Sequence, residues 1–296
     1  MNIWISQDAL AGSSDKLLWS GALYGLKRLQ QLDHAVSFST DALSDRQREL
    51  LSNEQITRDD SVDQGSAELL VKAEGENLIA LADEQPIEQA DNWILLSQQI
   101  CFPTRRASKK RTTAETDISI DLNLDGTGQS TIATGLAFFD HMLEQIAKHG
   151  LVDLDLSCDG DLEVDEHHTI EDVAITLGET ITEALGNKVG IQRYAFILPM
   201  DETQSTVALD LSGRPYLKFD GSFKREKVGD FPTEMVEHFF YSLAMHLKAT
   251  LHISVEGAND HHKIEACFKG FSRCLRAAVS RSERNANILP STKNLL

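Results

Sequence analysis

Apolar residues follow two different patterns along the chain. Up to about residue 104, short apolar runs flank one amphipathic stretch. The runs Asn2–Ser6, Ala35–Thr40 and Asn92–Ile100 carry Ile, Val, Trp and Phe and predict strands. Leu17–Leu32 repeats its apolar positions at helical spacing and predicts a helix, while the polar stretch Ser44–Glu68 reads as partly loop. Strands alternating with a helix predict a small α/β domain over residues 1–104.

The second pattern begins at residue 113. Asp117–Leu124 (DISIDLNL) alternates strictly and is followed by Asp125-Gly126, the signature of a hairpin. Ser205–Gly221 predicts another, turning near Gly213. After each comes an amphipathic helix, a strand (LVDLDLS, TLHISVE) and a second helix that opens at a His-His pair. Two β-β-α-β-α halves result, about 113–190 and 191–285, with a tail over 286–296. The fold class expected for this domain is α+β.

The halves repeat in detail as well as in outline. His141 in FFDHMLEQIAKHG corresponds to His238 in MVEHFFYSLAMHLK. His167, His168 and Glu171 correspond to His261, His262 and Glu265. Between the two regimes, Phe102–Thr113 contains Pro103 and a run of basic residues from Arg105 to Arg111, so residues 105–112 read as a solvated basic linker.

Composition narrows the function. The 296 residues carry a formal net charge of −18, against nucleic-acid or membrane-surface binding, both of which require a basic face. The four cysteines form no C-x-x-C pair and read as free thiols of a reducing cytosol. The opening MNIWISQDALAGSSDK has no basic region followed by a long apolar one, and no apolar run reaches ~18 residues. A cytoplasmic location without membrane attachment is therefore expected.

The repeated H-H-x-x-E carries the chemistry. On a helix, His167 and Glu171 are four residues apart and His168 and Glu171 three, so either pair can converge on one ion. Adjacent histidines point about 100° apart and cannot easily share one. Each pair is therefore expected to serve two different ions, with His141 and His238 adding further imidazoles. Imidazole with carboxylate suits Mn, Fe, Zn or Ni. A lyase, a two-metal hydrolase and a metal-dependent assembly protein all remain open at this point.

Several longer motifs then point to one family. R-x-T-x-E-T-x-I (Arg111–Ile118), G-x-x-F-F-D-H-M-L-x-Q (Gly135–Gln145), D-x-H-H-T-x-E-D (Asp165–Asp172), P-M-D-E (Pro199–Glu202), D-L-S-G-R-P (Asp210–Pro215), N-D-H-H-x-x-E (Asn259–Glu265) and L-P-S-T-K (Leu289–Lys293) occur in order. Residues from about 111 to 296 thus resemble imidazoleglycerol-phosphate dehydratase, a hydro-lyase of L-histidine biosynthesis. The resemblance implies dehydration of D-erythro-imidazole-glycerol phosphate to imidazole-acetol phosphate through a metal-stabilised imidazolate. It also implies two Mn²⁺ per active site, with other divalent transition metals able to replace them, and a homo-oligomer, a 24-mer, with active sites between subunits. Carried over residue by residue, the metal ligands are His141, His167, His168, Glu171, His238, His261, His262 and Glu265. Glu115, Glu171 and His167 take catalytic roles. His149, Arg193, Arg214, Lys269, Ser291 and Lys293 contact the small phosphorylated imidazole substrate, and the tail closes over it. Asn294 stands where the family usually has glycine.

In some bacteria this dehydratase follows a histidinol-phosphate phosphatase of the haloacid-dehalogenase type. Aligning Asn2–Ser6 with that domain's first strand puts Ser6 at the nucleophilic aspartate and Asp8 at the second acid. Residues 1–104 are therefore expected to be a degenerate domain without phosphatase activity; a small α/β interaction domain is the competing view.

Overall fold

A computed structural model describes residues 1–11, 17–41, 43–293 and 295–296, the side chains of 196–198 excepted. The chain separates into two units, Met1–Pro103 and Thr104–Leu296, each with its own apolar core.

The first unit runs β1 (Asn2–Ile5), α1 (Gln7–Ala11), α2 (Ala22–Gln31), β2 (Ala35–Phe38), α3 (Asp45–Asn53), β3 (Leu69–Glu74), β4 (Asn77–Ala82), β5 (Gln85–Ala90) and α4 (Trp93–Cys101). Its five-stranded sheet has the order β2-β1-β3-β4-β5. The first three are parallel and the last two complete an antiparallel meander. Two expectations are corrected here, and a third is filled in. Asn92–Ile100 is a helix, not a strand. Asn92 caps it by accepting from Leu95 N–H at 2.9 Å, and the buried Trp93, Leu96 and Ile100 follow helical spacing inside a run that looked continuously apolar. The helix expected over Leu17–Leu32 starts only at Ala22, after Gly21 in a left-handed conformation. Ser44–Glu68 contains α3, opened by a capping box between Ser44 and Gln47. Among the described residues no helix is long and apolar enough to cross a membrane.

The second unit is α+β and duplicated. Its first half is β6 (Arg106–Thr112), β7 (Thr116–Asn123), β8 (Ser130–Ala133), α5 (Ala137–Gly150), β9 (Asp153–Gly160) and α6 (His167–Leu185). The second is β10 (Tyr194–Met200), β11 (Thr203–Asp210), β12 (Tyr216–Asp220), a short hairpin β13 (Lys227–Val228) and β14 (Phe231–Pro232), α7 (Met235–His246), β15 (Thr250–Glu256) and α8 (Asp260–Val279). The first half thus has one strand more than the β-β-α-β-α expected, and the second has one more besides its short hairpin. The basic segment read as a linker supplies it in the first half: β6 pairs antiparallel with β7 along its whole length. Two of its cations reach α6, Lys109 to Glu179 at 3.0 Å and Arg111 to Asp172 at 2.8 Å.

The expected hairpins β7-β8 and β11-β12 do not form. The sheet orders are β6-β7-β9-β8 and β10-β11-β15-β12, so β9 and β15 insert between the strands expected to pair. Sequence neighbours and sheet neighbours differ here because β8 and β12 join in parallel to the later strand. In each sheet the inward side chains are mostly apolar, with Thr116, Thr203 and Ser205 as buried polar exceptions, and α5–α8 bury the apolar ones in one continuous core. At its centre Phe239 stacks on Phe268 at 4.8 Å and Phe240 on Phe268 at 5.0 Å.

The halves meet through their helices, α5 on α8 and α6 on α7. Gly178 makes the second contact close: a Cβ there would lie 2.9 Å from Leu243 O and Leu247 N of the α7 backbone. Gly178→Ala is accordingly expected to lose about 1–3 kcal/mol by forcing the helices apart, read as a lower urea midpoint. An unchanged midpoint would mean that the two backbones separate freely.

Candidate metal centre and anion pocket

The helix contacts place histidines from one half against the other half's glutamate. On α5, His141 faces His261 and Glu265 of α8; on α7, His238 faces His167 and Glu171 of α6. In each trio the candidate ligand atoms all lie within 4.8 Å of one another. His238 Nε2 is 3.1 Å and His167 Nε2 3.6 Å from Glu171 oxygens. His261 Nε2 is 3.5 Å and His141 Nε2 4.0 Å from Glu265 oxygens. Each trio takes one histidine from one half and an H-x-x-x-E pair from the other, so duplication creates two equivalent centres. The donor sets fit a divalent transition metal. His238 Nε2 is buried and makes no hydrogen bond despite the nearby carboxylate, a deficit that coordination would remove.

His168 and His262 join neither trio. Their rings stand 6.2 Å and 6.0 Å from those of His167 and His261, at 75° and 86°, as the helical turn between adjacent residues dictates. His168 Nδ1 lies 3.1 Å from both Asp161 oxygens, and its Nε2 is 3.7 Å from Glu115. His262 Nδ1 lies 2.8 Å from Glu202. These hydrogen bonds lift both imidazoles above the usual histidine value, and Glu202 is held below the usual carboxylate value by the same contact. Asp161 and Glu202 were not among the sequence-predicted site residues. Glu202 stood in P-M-D-E as the duplicate of Glu115, which was the available signal; Asp161 had none.

Glu115 sits in a tightly tied turn. Thr113 Oγ1 accepts from the amides of Glu115 and Thr116 at 3.1 and 3.0 Å. Thr116 Oγ1 donates to Asp172 at 2.6 Å, and the Glu115 carbonyl accepts from Asp161 N–H at 3.0 Å. Glu115 and the carboxylate that holds His168 therefore belong to one hydrogen-bonded assembly.

Arg193, Arg214, Ser291 and Lys293 line a cationic cavity of about 850 Å³ together with Lys188 and Lys248. The last two were missed, having no motif of their own. Lys188, Arg193 and Lys248 have φ of 58°, 69° and 53°, backbone strain of the kind found at binding sites. Burial, with the charges of Lys248 and Arg193, lowers the Lys188 pKa. Arg193 forms a two-point pair with Asp210 at 2.5 and 3.0 Å and donates to the Pro290 carbonyl at 2.9 Å, so it also anchors the tail. Asn294 lies outside the described residues. Lys269 and His149 do not line this cavity. Lys269 pairs with Glu265 at 2.8 Å. Burial, then the charges of Lys269 and Arg273, lowers the His149 pKa.

Fold and site together define a duplicated α+β protein with paired His–Glu trios and a cationic pocket. The comparisons place this architecture. The family model described as imidazoleglycerol-phosphate dehydratase matches residues 134–275. A protein of Actinobacillus pleuropneumoniae serotype 3 described as histidine biosynthesis bifunctional protein HisB is 56% identical over 194 residues, covering 66% of this chain and 53% of that one. One of Legionella pneumophila with the same description is 53% identical over 211 residues, 71% of this chain and 59% of that. The crystal structure of imidazoleglycerol-phosphate dehydratase from Staphylococcus aureus aligns with TM-score 0.55 at 39% identity, covering 60% of this chain and 99% of that one. The enzyme from Pyrococcus furiosus, in complex with (S)-C348, gives 0.54 at 36%, covering 64% and 100%. The chain belongs to the imidazoleglycerol-phosphate dehydratase family. It spans about half the length of the curated relatives it matches.

Proposed function

We propose that the second unit is a hydro-lyase that dehydrates D-erythro-imidazole-glycerol phosphate to imidazole-acetol phosphate in histidine biosynthesis. The observation that carries this reading is the pair of cross-half trios, His141/His261/Glu265 and His167/Glu171/His238. Two Mn²⁺, or comparable divalent ions, would be held there. When bound they supply Lewis acidity that stabilises the substrate's imidazole as its anion and so eases loss of the neighbouring hydroxyl.

The chain's own residues do the rest. Glu115, held in its threonine-tied turn, removes the carbon-bound proton. Glu171 and His167, which would hold one of the ions, orient the substrate's imidazole at that end. Arg193, Arg214, Ser291 and Lys293 receive the phosphate, and the tail that carries Ser291 and Lys293 closes the pocket. Lys269 and His149 contact substrate from the side of Glu265. A three-donor centre is incomplete for an octahedral ion, and His168 and His262 stand partly exposed outside both trios. We assign these two histidines to centres in neighbouring copies of a homo-oligomer, the 24-mer implied by the family resemblance.

For the first unit the reading is a domain without phosphatase activity. Ser6 follows β1 and its hydroxyl donates to Asp8, and a serine so placed offers no carboxylate nucleophile.

The deciding experiment strips the purified full-length chain with a chelator, restores Mn²⁺ and supplies the substrate. Imidazole-acetol phosphate should appear only after Mn²⁺ is restored. Absence of product with Mn²⁺ demonstrably bound would refute the dehydratase reading.

A further inference from the structure

The second half contains a segment without counterpart in the first. Residues 134–136 join β8 to α5, whereas 221–234 join β12 to α7, and most of the difference is the hairpin β13-β14. Its two-residue turn is Gly229-Asp230, with Gly229 at φ 62°. Val228 and Phe231 anchor it in the core.

From that anchorage the segment reaches the start of every helix that bears a trio ligand. Asp230 accepts from the amides of Ala137 and Phe138 at 2.6 and 3.0 Å. It thereby caps α5, whose own N-cap residue, Leu136, provides no side-chain bond. His141 lies in the next turn. Lys227 pairs with Glu166, the residue immediately before His167. The amides of Lys224 and Arg225 both donate to Asp260 at 2.8 Å, and Asp260 forms a buried pair with Lys263 at 2.6 Å, on either side of His261 and His262. Phe138 bridges the remaining gap, its ring 6.1 Å from Phe231 and edge-on to His261 at 5.2 Å. The segment then runs directly into α7, which carries His238.

The geometry points to the β13-β14 hairpin as a clasp that sets both trios, with Asp230 the positioning residue for His141 and Lys227 the positioning residue for the His167 helix. The assignment rests on reading the trios as metal centres. It follows from the helices themselves: the ligands sit in the first two turns, next to helix starts whose backbone amides lack intrahelical partners and whose ends fray. A carboxylate from the opposite half satisfies those amides on α5 and fixes the turn at once.

The test uses the full-length chain stripped of metal and titrated with Mn²⁺, with free Mn²⁺ read by electron paramagnetic resonance. Asp230→Ala should weaken one of the two Mn²⁺ sites by about 10- to 100-fold, the range for groups that orient ligands, and leave the other near wild type. Asp230→Asn, which retains the shape and one acceptor, should restore most of the loss. Lys227→Met replaces an exposed partner, so it should loosen the other site without moving the unfolding midpoint. Wild-type Mn²⁺ affinities in both Asp230→Ala and Lys227→Met would overturn the clasp. So would equal weakening of both sites in step with a lower unfolding midpoint. A wild-type chain that binds no Mn²⁺ would overturn the metal reading and the clasp together.

Discussion

Glu115→Gln should bind Mn²⁺ and substrate as the wild type does and lose turnover by about 10²- to 10⁴-fold, the range for removal of a positioned general base. The amide has the shape of the carboxylate, so the turn held by Thr113, Thr116 and Asp172 should persist. What disappears is the ability to accept a proton. The duplication explains why one base is expected and not two. Glu202 occupies the matching position in the second half, but its carboxylate is engaged with His262 Nδ1 at 2.8 Å and with the Asn259 amide at 3.1 Å. In the first half Asp161 takes over the histidine-holding role, and Glu115 is left with a longer 3.7 Å approach to His168 Nε2. Steady-state kinetics with Mn²⁺ stoichiometry measured in parallel would decide. A kcat near wild type would remove Glu115 from the mechanism, and a fall in Mn²⁺ occupancy would recast it as a ligand.

What the sequence reveals depends on how local each feature is. Strict alternation in Asp117–Leu124 and the repeated helices are set by side chains close in sequence, so the α+β class and the duplication could be read directly. The order of strands could not. Nothing in β8 or β12 announces that its partner lies beyond the next helix, and a Gly-containing turn after an alternating run looks like a hairpin whether or not the next strand returns beside it. Arg105–Arg111 looked like a linker because charge dominates it. As an edge strand it tolerates charge, and its lysine and arginine stems lie along α6. At the site, helical geometry separates His167 from His168 without any tertiary knowledge. Which imidazole joins which carboxylate depends on the packing of α5 on α8 and α6 on α7, and hence on details such as Gly178. Asp230 was invisible for the same reason: its value lies entirely in contacts with Ala137 and Phe138, far away in sequence.

Two inactive variants should regain activity when assembled together. His168→Ala leaves both trios intact and removes an imidazole that belongs to neither, since Asp161 holds the ring turned from His167. Glu171→Ala destroys the trio with His167 and His238 but keeps His168. Each alone is expected to lose activity by on the order of 10²-fold or more, because even groups that only orient metal ligands matter at the 10- to 100-fold level. If His168 serves a neighbouring copy, a mixed oligomer contains centres with the trio from one variant and the fourth histidine from the other. Such centres are wild type in every ligand, and random assembly of equal amounts gives up to about one quarter of them. Co-expression with two affinity tags and isolation of the doubly tagged oligomer would yield the sample. Recovery to a sizeable fraction of wild-type turnover would locate His168 in the partner's centre. Should the mixed oligomer be no more active than either parent, His168 would have to act within its own chain. The 3.7 Å approach of its Nε2 to Glu115 would then be its functional contact.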